Sequence, residues 1–389
     1  MNKNQAGKKF KPGLSGGVRP SPGAATFASH AALFFREFSS LRILLRPGTA
    51  ALLLLLLAAA KLPAAEARLE VITLHSEALK NNVLHDPDTR PVPIFLPARA
   101  NNGVPLPVLY YLPGYGNSAA KILSNSNIWL KFTQKVADEG TPVILVVADG
   151  WTRWGGGQFL NSPAQGNYAD FVCDEVVHAV ESRHPVPTKG VRRIIGGHSS
   201  GGFGALRLGS DRQKLYDAVI AMSPDSDFPT SHLPLVTVPS VAKLSPADAK
   251  KFMTGELPMS KDEDINYALG LSCAYAPSAA PHIGEFEWLY DDKGTLRADV
   301  WQRWLDNDPL TIVRKNPNAF SPEQRIYLEG AAQDQFSANI GARKIYEVLK
   351  SRPSRCTFYE PPGQHADHVR ERLQRGLQWV FDRPLTDIK

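Results

Sequence analysis

Apolar runs and helical patterns alternate along most of the chain. That alternation predicts an α/β fold with a mostly parallel central sheet and helices on both faces. Arg68 to Leu79 and Pro91 to Leu96 read as an opening antiparallel pair. Leu106 to Leu112 (LPVLYYL) predicts a buried strand that stops at Pro113-Gly114-Tyr115-Gly116. Pro142 to Val147 (PVILVV) predicts another, stopping at Ala148-Asp149-Gly150. Val191 to Ile195, Ala218 to Met222, Ile326 to Leu328 and Thr357 to Tyr359 supply four more. Tyr168 to Arg183 instead sets Phe171, Val172, Val176, Val177 and Val180 at helical spacing, and Val369 to Phe381 reads as a closing amphipathic helix.

Between Phe228 and Ser321 the strand rhythm stops. A stretch of that length is not plain loop in a compact domain. Ser245-Pro246-Ala247-Asp248 has the form of a helix start, and Ala298 to Leu305 has helical spacing. Residues 229–320 therefore read as an insertion, or cap, over the C-terminal ends of the strands, within a domain spanning 68–389. Trp288, Trp301 and Trp304 in this region read as core rather than ligand contacts.

Residues 1–67 break the pattern in another way. Leucines run from Leu52 to Leu57 between alanines, with Arg42 and Arg46 before them and Ala65-Glu66-Ala67 after. An apolar run of about a dozen residues matches a signal-peptide core and falls short of the ~20 that span a bilayer. The expectation is a basic tail plus signal peptide, with residues 68–389 periplasmic or secreted. The alternative is an uncleaved anchor at 50–60, which would be the chain's one link to a membrane. This region also explains the net charge of +6. It carries nine Lys/Arg and two acids, so the rest of the chain is close to neutral. A near-neutral domain gives no electrostatic case for binding nucleic acid.

Three cysteines, Cys173, Cys273 and Cys356, have no metal-ligand spacing and allow at most one internal disulfide. Nucleotide-loop and zinc-site signatures are absent from the sequence, so no cofactor or metal is expected. Chemistry points instead to Gly197-His198-Ser199-Ser200-Gly201, which follows the Val191 strand and precedes a small-residue segment able to start a helix. Strand, G-x-S-x-G, helix puts a serine on a sharp turn, with glycines leaving room for the backbone to cross. A second copy, Gly13-Leu14-Ser15-Gly16-Gly17, has no strand before it and is discounted.

A serine hydroxyl needs a base, and the base needs an orienting acid. After the Ile326 strand comes Glu329-Gly330-Ala331-Ala332-Gln333-Asp334; after the Thr357 strand comes Glu360-Pro361-Pro362-Gly363-Gln364-His365. Ser199, Asp334 and His365 thus stand in the order Ser, acid, His, each just past a strand. Glu329, Asp308 and Asp367 remain alternative acids, and His368 an alternative base. Backbone N–H groups of Ser200 and Tyr115 are the candidate oxyanion donors. Trp151 and Trp154, beside Gly155-Gly156-Gly157, either contact substrate or cover the sheet edge.

These residues resemble the esterase D-like branch of the α/β-hydrolases, which includes S-formylglutathione hydrolase, enterochelin and feruloyl esterases, and the mycolyltransferases. The resemblance rests on LYYLPGYG (109–116), VVADG (146–150), NYADFVCDEVVHAVESRHPV (167–186), RRIIGGHSSGGFGALRLG (192–209), AVIAMSPDSDF (218–228), IYLEGAAQDQF (326–336) and FYEPPGQH (358–365). It implies an α/β-hydrolase fold with Ser199 as nucleophile, Asp334 as acid, His365 as base, and Tyr115 and Ser200 as oxyanion donors. It also implies a serine esterase that acts on a small-molecule or glycan ester through an acyl-enzyme. Acyl transfer of the mycolyltransferase kind, or a non-catalytic binding role on the same fold, are the alternatives. Pro113 and Ser200 depart from residues common in relatives at those positions, and the 229–320 insertion is long.

Overall fold

The computed structural model describes residues 66–388 apart from 280, 281, 283, 353 and 354. The expected signal peptide therefore lies, but for its last two residues, outside the described residues. Eight strands form one sheet: β1 (Arg68–His75), β2 (Thr89–Leu96), β3 (Val108–Leu112), β4 (Ile144–Val147), β5 (Arg193–His198), β6 (Ala218–Met222), β7 (Arg325–Glu329) and β8 (Arg355–Tyr359). Their order is β1-β2-β4-β3-β5-β6-β7-β8. β1 pairs antiparallel with β2, and β2 antiparallel with β4; every other pairing is parallel. The first strand is shorter than its apolar pattern suggests and ends at His75, where the chain turns.

Parallel strands covered on both faces read as continuous apolar runs. VLYYL in β3 and AVIAM in β6 are buried throughout. Successive residues still serve opposite faces. Val108, Tyr110 and Leu112 join the core under the helical segment 168–181, α2 (Ser200–Asp211) and α6 (Ala338–Leu349). Leu109 and Tyr111 join the core under α1 (Ser126–Asp138) and α7 (Val369–Val380).

Register aligns the strand ends that matter. Leu112 pairs with Gly197, His198 with Met222, Met222 with Glu329, and Glu329 with Tyr359. The turns that follow β3, β5, β6, β7 and β8 therefore open on one rim.

Residues 229–320 form short helices and two isolated bridges. Ser245 caps the helix Pro246–Thr254 by accepting the Asp248 N–H, as the Ser-Pro-Ala-Asp start predicts. Longer pieces are α3 (Glu263–Tyr275), α4 (Ala298–Leu305) and α5 (Pro309–Lys315). α3 and α4 share a separate apolar core built on Tyr275, Trp288, Tyr290 and Trp304, into which Phe203 of α2 also reaches, whereas Leu310 and Val313 of α5 join the core of the sheet. Trp288 and Trp304 are buried there, and Trp301 packs against them. All three cysteines are free thiols. Among the described residues, no helix is long and apolar enough to cross a membrane.

Candidate active site

The turn between β5 and α2 holds Ser199 at φ 59° and ψ −124°. That conformation is costly for a residue with a Cβ and persists only where its surroundings enforce it. Here the Ser199 N–H is bonded to the Met222 carbonyl at 2.9 Å. The flanking glycines are sterically required. A Cβ on Gly201 would lie 1.8 Å from the Leu112 carbonyl oxygen, and one on Gly197 would lie 2.4 Å from the Gly201 backbone. Ser199 thus stands at the N-terminal end of α2, where unpaired backbone N–H groups and the helix dipole favour negative charge.

His365 and Asp334 meet across the loops that follow β8 and β7. His365 Nδ1 lies 2.7 Å from Asp334 Oδ2, and both residues are buried. Burial pushes the Asp334 carboxyl up. The His365 contact, with help from the Ser223 hydroxyl and the Phe336 N–H, outweighs it and holds the group below its usual range. The two loops are fastened together. The Ala332 N–H donates to the Pro361 carbonyl (2.8 Å), the Gly363 N–H to Gln333 Oε1 (2.6 Å), and the His365 N–H to Gln335 Oε1 (3.1 Å). Neither glutamine stood out in the sequence, since amides in a loop carry no pattern.

Behind His365 lies a buried ion pair that sequence reasoning also missed. Arg372 of α7 bonds both carboxylate oxygens of Glu329, through Nε at 2.8 Å and Nη2 at 2.5 Å. Its Nη1 donates to the His365 carbonyl at 2.7 Å. The His198 ring meets the same carbonyl from the other side, Nε2 donating at 2.8 Å. Burial, aided by His365 and Arg372, depresses the His198 pKa to about 3. His198 is therefore neutral at ordinary pH.

The alternative acids have other employment. Glu329 is committed to Arg372. Asp308 caps α5, accepting from the Leu310 N–H at 3.1 Å and from the Asp227 N–H at 2.8 Å. Asp367 accepts the Gln364 N–H at 2.8 Å. His368 is exposed at the start of α7. Only Asp334, of these four carboxylates, is bonded to a His365 ring nitrogen. It is also more buried than its place in a rim loop suggests.

Ser200 follows Ser199 in the chain, and Tyr115 lines the same cavity. The Ser200 N–H is the first of α2, with no carbonyl inside the helix to receive it. Its hydroxyl donates to Asp225 Oδ2 at 3.0 Å and accepts from Gln158 at 3.2 Å, which accounts for a polar residue at this position. Tyr115 is anchored by its side chain. The hydroxyl donates to the Trp154 carbonyl, and the ring meets Tyr267 edge-on with centroids 4.8 Å apart. Gly155 and Gly156 lie against that ring, so the Gly-rich run gives close packing for Tyr115. This corrects the substrate-contact expectation for Trp154. It is 1 % exposed and belongs to the core of the insertion, so it cannot stack on a ligand. Trp151 is half-buried and is not among the residues that line the cavity at Ser199.

That cavity is about 370 Å³. Gly114, Tyr115, His198, Ser199, Ser200 and His365 line it from the strand ends, and Leu235, Glu263, Asp264 and Tyr267 from the insertion. Asp225 and His232 complete the wall between them. Ser199 Oγ is 3.5 Å from Asp225 Oδ1, at the outer limit of a hydrogen bond. Asp225 and His232 lie within the AVIAMSPDSDF run or just past it, where sequence gave no chemical reason to single them out.

The Esterase family, described as "Putative esterase", matches residues 87–372. The fold is similar to that of a ferulic acid esterase (17 % identity, 81 % of this chain and 98 % of that one, TM-score 0.53). It is also similar to an S-formylglutathione hydrolase from Agrobacterium tumefaciens (16 % identity, 82 % and 96 %, TM-score 0.53). An acetyl esterase from Caldicellulosiruptor saccharolyticus is 39 % identical over 56 residues, 14 % of this chain and 21 % of that protein. The chain therefore matches about a fifth of the length of that relative. The family match covers most of the chain, and the chain belongs to the esterase family.

Proposed function

We propose that this esterase-family chain is a serine esterase that cleaves a carboxylic ester through an acyl-enzyme. The observation that carries the reading is the buried His365–Asp334 pair at 2.7 Å on the wall of the cavity where the Ser199 elbow ends. In the reaction the Ser199 hydroxyl turns from Asp225 toward His365, which takes its proton as Oγ attacks the ester carbonyl. Asp334 holds the Nδ1–H tautomer and stabilises the imidazolium that forms. The Ser200 and Tyr115 N–H groups receive the developing oxyanion. His365 returns the proton to the leaving alcohol. Water then attacks the acyl-Ser199 carbonyl with His365 again as base, releasing acid and free serine.

A fluorophosphonate probe is expected to label Ser199 and no other serine. Ser199→Ala should lower kcat on model esters by roughly 10³-fold or more. Full activity in Ser199→Ala, or labelling at Ser200, overturns the assignment. We also infer that Arg42, Arg46, the Leu52–Leu57 run and Ala65-Glu66-Ala67 direct export, with a small-molecule or glycan ester as the substrate met outside the cytoplasm. N-terminal sequencing of native protein should start near Arg68; an intact Met1 terminus in the cytosol contradicts export.

A further inference from the structure

Asp225 and His232 form an acceptor pair that the reaction above does not use. His232 is 1 % exposed, yet its Nε2 has no hydrogen-bond partner. The polar atom it faces is Asp225 Oδ2, at 3.9 Å. On the other side of the ring, Nδ1 lies 3.3 Å from Ser231 Oγ, whose proton is given to the Ser226 carbonyl at 2.9 Å. In the Nδ1–H tautomer the ring donates to that hydroxyl, whose own proton is already used. Burial holds the His232 pKa below its ordinary value, so the ring is neutral. Nε2 is then a bare lone pair facing a carboxylate. Asp225 Oδ2 has the Ser200 hydroxyl as a donor, but His232 Nε2 has none, and an unmatched acceptor beside a carboxylate is a defect in an empty site and a recognition element in a filled one.

The surrounding wall shares this bias. Glu263 and Asp264 line the same cavity, and no Lys or Arg does. Those two acids also open α3, where the helix dipole alone would favour them. Asp225 instead follows a strand, and the Ser200 hydroxyl holds it in place at 3.0 Å. Tyr115, Tyr267 and Phe336 add aromatic rings to the lining, and such rings accept cations on their faces.

From this juxtaposition we infer that the ester substrate carries a protonated amine close to the scissile carbonyl, received by Asp225 with His232 behind it. The inference rests on Ser199 being the nucleophile. Its distance logic comes from the 3.5 Å between Ser199 Oγ and Asp225 Oδ1. With the carbonyl carbon bonded to Oγ, a nitrogen on the first or second acyl carbon falls within hydrogen-bond reach of that carboxylate. A donor seated there also relieves the repulsion between Asp225 and His232. A neutral hydroxyl in the same place satisfies one acceptor but leaves the charge of three carboxylates unanswered, and an anionic acyl group is repelled.

The test is a set of ethyl esters matched in shape: β-aminobutyrate, β-hydroxybutyrate, isovalerate as the methyl isostere, and monoethyl succinate as the anion. In the wild-type enzyme kcat/KM should fall in that order, the amine exceeding isovalerate by about 10- to 100-fold. In Asp225→Asn and in His232→Phe the ratio of amine to isovalerate should collapse toward unity, whatever happens to either rate. As a binding readout, isobutylamine should slow fluorophosphonate labelling of Ser199 more than isobutanol does. A wild-type enzyme that treats the amine no better than isovalerate overturns the inference, as does a preference that survives Asp225→Asn. Ser199-dependent hydrolysis of isovalerate with no amine preference removes this inference alone. Failure of all four esters together with an unlabelled Ser199 removes the catalytic reading beneath it.

Discussion

The two walls of the cavity are built on different principles. On one wall the proposed catalytic residues sit in turns that follow hydrogen-bonded strands. Ser199 follows β5, Asp334 follows β7, and His365 follows β8, and ladder register sets their spacing. On the other wall Leu235, Glu263, Asp264 and Tyr267 come from short helices over a separate apolar core. A strand end cannot shift without breaking pairing, on both sides for β5 and β7 and on one for the edge strand β8, so groups that follow these ends gain preorganisation. A helical insertion can vary in length and residue type while the sheet stays intact. On the proposed reading, chemistry is fixed by the sheet, and substrate choice is set by Asp225 and the insertion, His232 included.

The strongest challenge to that division is Asp334→Asn. If Asp334 acts on the orientation and charge of His365, kcat should drop by roughly 10³- to 10⁴-fold. Stability should change by only about 1–2 kcal/mol, since a single hydrogen-bonded loop residue is altered. Asp308→Asn, which changes a cap in the helical region, should cost some stability and little activity. Kinetics and thermal melts on the two variants separate the roles. The reverse pattern would move the acid out of the sheet wall.

Glu329→Gln probes support rather than chemistry. It leaves the Arg372 guanidinium buried without a counter-charge, behind the carbonyl of His365. Removing one partner of such a pair costs about 3–5 kcal/mol. A large loss of denaturation midpoint is expected, with the folded fraction still labelled at Ser199. Unchanged stability would mean that the pair carries no structural weight.

A smaller effect is expected where the walls touch. Gly155 sits at φ +104°, and a Cβ there would come within 2.5 Å of the Tyr115 ring. Gly155→Ala must displace Tyr115, whose N–H is the proposed second oxyanion donor and whose ring packs on Tyr267 of the insertion. Complete loss of an oxyanion donor costs about 10²- to 10³-fold in kcat, so a displaced one should cost about tenfold with little change in KM. A change confined to KM would assign Tyr115 to the recognition wall instead.

The same division explains what could be read in advance. The placing of Ser199, Asp334 and His365 on one rim was legible because each comes shortly after an apolar run, and apolar runs are the clearest signal a sequence carries. The helix at 298–305 and the start at Ser245 were legible through period and cap. Trp154 stayed ambiguous because a tryptophan beside three glycines fits an exposed loop as well as a covered edge, whereas Gly155 and Gly156 make room for Tyr115 and Gly157 for Tyr168. Arg372, His198, Asp225 and His232 were invisible for a further reason. The roles of the first two depend on contacts across many residues of sequence, Arg372 with Glu329 and His198 with His365, and those of the last two on how a turn and a short helix pack at the cavity. No local spacing encodes such contacts.

A pH effect is expected at His198, the support that reaches His365 from within the sheet. Its pKa is depressed from 6.5 to about 3, first by burial and then by the neighbouring His365 and Arg372. A histidine whose folded pKa lies below its unfolded value binds protons more readily when unfolded. Its contribution to stability is therefore complete above about pH 6.5 and is lost as pH falls toward 3. Between pH 7 and pH 5 the loss from this one group is about 2 kcal/mol. His198→Gln removes the titration while keeping a side-chain N–H to offer the His365 carbonyl. The fall in melting temperature from pH 7 to pH 5 should thus be smaller in the variant than in the wild type. It should not vanish, because burial also lowers the pKa of His232 and of His184. Equal falls in the two proteins would show that His198 is not what couples acid to unfolding. The sheet wall would then owe its acid sensitivity to other groups, and His232 in the recognition wall would be the next to replace.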